Sequence, residues 1–208
     1  MATASLVRTD GSRLSRLDRG ILVFERFLAL LSGLAVFGLM ILAVVSVGGR
    51  NFLEQPLPGY VDWIEQAMPL IAFMGISYVQ REGGHIRMDL LVGALKGRAL
   101  YIAEFITTAA VLILVVLLIW GTFAHFQRSF DFSAPLWSRD SSMDIALPLW
   151  PAKLLAPVAF SVLGLRLVLQ LTAYGRAIAT GVAIAVPLPV SAAEQAEMEA
   201  RQLAGEDE

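Results

Sequence analysis

Hydrophobic residues in this chain come in long blocks rather than in alternation. From Phe27 to Gly49 there are 23 residues without a charge, and from Phe105 to Ala124 there are 20. A helix needs roughly 20 apolar residues, at about 1.5 Å rise each, to cross a ~30 Å hydrocarbon core. Both blocks therefore predict transmembrane helices. Residues 62–80 carry acids only near their start and are uncharged from Gln66 to Gln80. Residues 147–174 are apolar apart from Lys153 and Arg166. Each of these two segments has a tryptophan, Trp63 or Trp150, at one end, where an interfacial aromatic belt would place it. The pattern predicts an all-α membrane protein with four transmembrane helices. The spans fall at about 21–49, 62–80, 99–125 and 147–174, within one domain over residues 21–175.

Shorter periodic stretches flank the blocks. Leu14, Leu17, Ile21 and Phe24 space as one helical face with arginines around it, so residues 1–20 read as a basic amphipathic arm leading into the first span. After Gly83-Gly84, which suit a helix stop, Ile86, Leu90, Leu91, Ala94 and Leu95 recur at helical spacing. These two stretches predict short amphipathic helices at the membrane interface. The stretch "VAIAVPLPV" is too short and too proline-rich to cross a bilayer. Residues 176–208 form a tail whose last part carries six acids against Arg201, which predicts a partly helical, largely disordered segment. Small residues four apart, Ala29/Gly33 and Ala152/Ala156, mark candidate helix contacts, and Pro69 and Pro157 candidate kinks.

Charge sets the threading. The chain is 57% hydrophobic and only 16% charged, against about 25% charged in soluble domains. Apart from Arg166, eleven Lys and Arg residues fall in the two terminal segments and the middle loop, and four near the other two loops. By the positive-inside rule both termini and the middle loop are cytoplasmic (N-in/C-in), and the chain is a multi-pass protein of the cell membrane. The first uncharged run far exceeds the apolar core of a cleaved signal peptide.

A charge at the bilayer centre costs about 2.5–3.5 kcal/mol on insertion scales, so charges inside the spans need partners. Glu104 lies roughly 8 Å, and Arg166 roughly 12 Å, from the cytoplasmic ends of their helices. Their signs are opposite and their depths similar, and Glu25 and Arg26 begin the first span on the same side. The expectation is an intramembrane polar cluster of Glu25, Arg26, Glu104 and Arg166 that fixes helix packing. A proton path through Glu104 is the competing reading, but the outer half of the third helix, "AAVLILVVLLIW", offers no polar group to continue it.

Candidate chemistry is sparse. The absence of cysteine excludes disulfides and thiolate metal sites. His85 and His125 fall on opposite sides of the core, so one haem iron cannot take both. No G-x-S-x-G, Walker loop or H-E-x-x-H occurs. No catalytic residue, metal site or cofactor is expected. The basic residues are short juxtamembrane clusters suited to anionic membrane lipids, not to nucleic acid. What remains is a four-span, N-in, non-enzymatic bundle with a cytoplasmic middle segment; a standalone four-span channel or exporter and a membrane anchor for a redox enzyme are two readings of it.

The segment "REGGHIRMDLL", residues 81–91, adds a resemblance. It is similar to the R-x-G-x-H-I-x-x-D-L-L segment that follows the second helix in the DctQ-like small membrane subunits of tripartite ATP-independent periplasmic (TRAP) transporters. Arg81, Gly83 or Gly84, His85, Arg87 and Asp89 carry the match, with Ile86, Leu90 and Leu91. "RNFLEQPLPGYVDW" resembles the family's first outer loop, and the stretch from Ser141 to Leu169 its fourth helix. The resemblance implies a small scaffold subunit in the bacterial inner membrane. Its implied partners are a large DctM-like membrane subunit and a periplasmic substrate-binding protein, together importing an organic anion such as a carboxylate by ion symport. It also implies that Arg87 and Asp89 hold the cytoplasmic turn. Asp131, Arg139, Asp140 and Asp144, on an outer loop, are candidate contacts for the binding protein.

Overall fold

The structure, a computed structural model, describes residues 7, 10–55, 57–82 and 98–187. The apolar blocks become helices: α1 (Arg13–Phe52), α2 (Tyr60–Met74), α3 (Ile76–Arg81), α4 (Arg98–Ser129) and α5 (Trp150–Thr180), with a single 3-10 turn at Pro135–Trp137 before α5. Three of them, α1, α4 and α5, are long and apolar enough to cross a membrane. The second expected span is instead two consecutive helices that meet at Gly75. Glycine weakens a helix by about 1 kcal/mol relative to alanine, and Pro69 has already removed one amide donor from this segment. The break falls at the glycine, not at the proline. α5, by contrast, runs through Pro157 uninterrupted.

α4 lies along α5, and α2 packs between α1 and α5. An apolar layer holds the middle: Val115 of α4 meets Phe160, Leu163 and Leu167 of α5, with Phe73 and Ile76 packed against them. The Phe73 and Phe160 rings stand 5.2 Å apart. α4 packs against Gly164, where a Cβ would lie in ordinary contact with Ile119 at 3.6 Å and Val115 at 3.7 Å. Of the expected small-residue contacts, Ala152 is buried and Ala156 packs on this core, whereas Gly33 has no neighbour within 4 Å of its Cβ position.

One correction concerns α1. An arm and a span were expected as separate elements, but a single helix of 40 residues runs from Arg13 to Phe52. Its length is about 60 Å, twice a hydrocarbon core. Ser12 caps it, its hydroxyl accepting from the Ser15 amide at 3.3 Å. The face that turns inward is also not the apolar one. Leu17 is 61% exposed and Phe24 49%. Ser15, Asp18, Leu22, Glu25, Leu28 and, further along, Ser46 are the buried positions. In lipid an apolar side chain loses nothing by facing out, while a charged one must find protein, so the polar stripe goes in.

The end of the bundle holding the start of α1 also gathers the last described residues. α5 stops at Gly181, whose φ of +78° suits a glycine helix cap and whose amide donates to the Ala177 carbonyl at 2.8 Å. The chain then folds back. Ala183 and Val186 pack on Ala173, Tyr174 and Ala177 with Leu14, and Val7 bridges Pro187.

At the opposite end Gly59 starts α2 at φ +68°, and a Cβ there would lie 2.5 Å from Cδ1 of Ile145. Gly59→Ala is expected to cost about 1–2 kcal/mol from the left-handed backbone alone, with a steric penalty added. In thermal melts of detergent-solubilised protein, a further Ile145→Ala change should recover the steric part and leave the backbone part.

Candidate functional site

The first feature is a buried ion-pair network joining α1, α3 and α5. On α1, Asp18 and Glu25 are seven residues apart, two turns, and so lie along one line. On α3, Ser77 and Arg81 are one turn apart; on α5, Arg166 and Gln170 are likewise. Arg166 sits at the centre. Its Nε donates to Glu25 Oε1 at 2.8 Å and an Nη to Glu25 Oε2 at 2.5 Å, a bidentate fork. Its other Nη donates to Asp18. Arg81 forks onto the same Asp18, with Nη2 to Oδ2 at 2.9 Å and Nε to Oδ1 at 3.3 Å, and also pairs with Glu82 at 2.8 Å. Ser77 donates to Glu25. One turn further along α5, Gln170 accepts from Gln80 at 2.9 Å.

Asp18, Glu25 and Arg166 are 0% exposed and Arg81 is 4%. These four side chains bring two positive and two negative charges together in the interior. Charge-assisted bidentate pairs are the strongest hydrogen bonds available to side chains, and arginine does not deprotonate in proteins. The arrangement is suited to holding helices in register. It is not suited to passing protons.

Of the expected polar cluster, the structure brings Glu25 and Arg166 into contact. Glu104 is buried on α4, but the carboxylates on Arg166 are Glu25 and Asp18. Arg26 follows Glu25 by one residue, about 100° around the helix, and is exposed. Asp18 falls in the segment that reads as an interfacial amphipathic arm. Its seven-residue spacing from Glu25 was the signal that could have found it. Arg81 was read as a loop-motif residue; it is the last residue of α3 and turned inward. Gly84, His85, Arg87 and Asp89 lie outside the described residues.

The second feature is a folded cap over residues 130–149. Asp62, buried in the first turn of α2, accepts from the Ser142 hydroxyl at 2.6 Å and the amides of Ile145 and Asp144 at 2.8 and 3.2 Å. Gln66 donates to the Pro148 carbonyl at 2.7 Å. Phe130, Phe132, Trp137 and Trp150 stack edge-on around the 3-10 turn. The expected binding-protein contacts are mostly engaged within the cap. Arg139 pairs with Asp131 at 3.0 Å, and Lys153 with Asp140 at 2.6 Å. The Lys153 ammonium holds the Asp140 carboxyl below its ordinary range. Asp144 is exposed.

The Ser133 amide and hydroxyl, then the Arg139 guanidinium, hold the Asp131 carboxyl down to about 2. An unfolded aspartate titrates near 3.9. The stabilisation this carboxylate provides is therefore complete above about pH 4 and is lost as pH falls through about 2. Trp137 fluorescence is expected to report a loop transition in that window, which Asp131→Asn removes.

A known family fits this arrangement. The model for the DctQ component of tripartite ATP-independent periplasmic transporters matches residues 39–174, well over half of the chain. The chain belongs to the DctQ family. No curated protein matches it. The match to DctQ makes the chain a membrane component of a TRAP transporter, and it covers α2, α3, α4, the cap and most of α5. Asp18 and Glu25, which supply both carboxylates to Arg166, lie before the matched residues.

Proposed function

We propose that this DctQ component is the static, non-catalytic scaffold of a secondary transporter in the bacterial inner membrane. It works with a large DctM-like subunit and a periplasmic binding protein, and the assembly imports an organic anion, a carboxylate, by symport. The chain crosses the bilayer four times, α2 and α3 together making one crossing, with both termini in the cytoplasm. The excess of Lys and Arg in the terminal segments and middle loop supports this threading.

One observation carries the scaffold role. Beyond the ion-pair network lies the apolar layer of Val115, Phe160, Leu163 and Leu167, side chains that give an ion or solute no polar group to follow. A protein against which another domain moves has to resist deformation, and a locked network backed by a packed layer does so. The same layer disfavours a standalone channel. Arg87 and Asp89 hold the middle-loop turn or its contact with the large subunit, and Asp144 is the cap's free contact for the binding protein.

Reconstitution in liposomes tests the reading. The chain alone is expected to give no carboxylate flux, and the three components together sodium- or proton-dependent uptake. An Arg87→Ala, Asp89→Ala double variant should lower co-purification with the large subunit. Solute flux through the purified chain alone would refute the proposal.

A further inference from the structure

A cavity of about 230 Å³ lies at the cap end of the bundle, walled by α2 and α4 and floored by α5. Glu65, Pro69 and Phe73 line it at four-residue intervals along one face of α2, while Ala152 and Ala156 leave room on the floor. Its two ends differ. Glu65, His125 and Lys153 stand at the end near the cap; Phe73 stands about 12 Å deeper along α2 and Ala156 about one turn deeper along α5, where the lining is apolar. A polar mouth with an apolar groove beneath it is the shape of a headgroup followed by an acyl chain.

The charges at the mouth narrow the ligand. Lys153 is already matched by Asp140 at 2.6 Å. Glu65 is therefore the excess charge when His125 is neutral, and it favours a cation. Two backbone groups point the same way. Pro69 has no amide to donate to the Glu65 carbonyl four residues back, nor Pro157 to that of Lys153. Both of those residues line the cavity. Each carbonyl is thereby left without its helical amide donor. An ammonium group brings three, and Lys153 and His125 beside it are donors for a phosphate.

We infer that this groove binds a phospholipid whose headgroup carries both a primary ammonium and a phosphate, an ethanolamine-type lipid, with one acyl chain against Phe73 and Ala156. The inference rests on the chain being embedded in a bilayer, but not on its transport role.

The test uses the full chain, purified from bilayers of equal ethanolamine and glycerol phospholipids with matched acyl chains. Lipid retained after stepwise detergent washing is quantified by mass spectrometry. Wild type is expected to retain the ethanolamine lipid preferentially. Glu65→Gln, a change at an exposed side chain, should reduce that preference about tenfold, the effect of losing one charged hydrogen bond. Ala156→Phe should displace both lipids. Equal retention of the two lipids by wild type would overturn the inference, as would unchanged ethanolamine-lipid retention in Glu65→Gln. Equal retention of the two lipids by wild type, together with normal reconstituted uptake, would overturn the lipid site alone and leave the scaffold reading standing.

Discussion

Arg166→Leu is expected to destabilise the folded chain by about 3–5 kcal/mol, the usual consequence of removing one partner from a buried ion pair. The reason is specific to this network. Arg166 is the only cation that pairs with Glu25 among the described residues, and Ser77 alone would remain to solvate that carboxylate. Asp18 would keep Arg81. Arg166→Lys is expected to fall between wild type and leucine, because an ammonium cannot fork onto Glu25 while also reaching Asp18. A Glu25→Gln, Arg166→Leu double change removes one charge of each sign. It should be milder than Arg166→Leu alone, a coupling that contact between the two residues requires. Thermal melting and the monodisperse fraction in detergent measure all four proteins. Equal melting would mean that the network does not hold the helices together.

The second large effect is expected at the other end of the molecule. Asp62→Ala removes the acceptor shared by the Ser142 hydroxyl and the amides of Asp144 and Ile145. An orphaned buried donor costs about 1–3 kcal/mol, so the cap should loosen by several kcal/mol unless water replaces the carboxylate. A negative charge in the first turn of α2 is lost as well, where the helix dipole favours it. The expected result is rapid proteolysis within residues 130–149 while α4 and α5 stay intact. Asp62→Asn, which keeps one acceptor oxygen, should be cleaved more slowly. Equal cleavage of wild type and Asp62→Ala would show that other contacts, such as Lys153 with Asp140, hold the cap by themselves.

The two networks differ in how much of them could be read from residues alone. Arg166 and Glu25 were legible because a charge in an apolar run demands a partner. Asp18 was not, because it sits among arginines in a stretch that reads as an exposed arm. Only the position of α3 beside α1 reveals that Arg81 needs a counter-charge there. The cap was legible as an outer loop with charges. That Asp131 and Arg139 pair with each other, and Asp140 with Lys153, depends on backbone bridges such as Phe130 to Ser138 that no periodicity announces.

The chain's own order of residues was enough to establish long apolar helices, a membrane location and kinship with the DctQ component, since each follows from block length, charge spacing or a local motif. Tertiary structure alone decided that α1 is one continuous helix, that its polar stripe faces inward, and that a glycine rather than a proline divides the segment expected as the second span. The physical reason is the solvent. In water the apolar face of a helix tells which side is buried, but in lipid that signal vanishes. Which side turns inward is then decided by where Asp18 and Glu25 can meet Arg166 and Arg81, and those residues are brought together from three different helices.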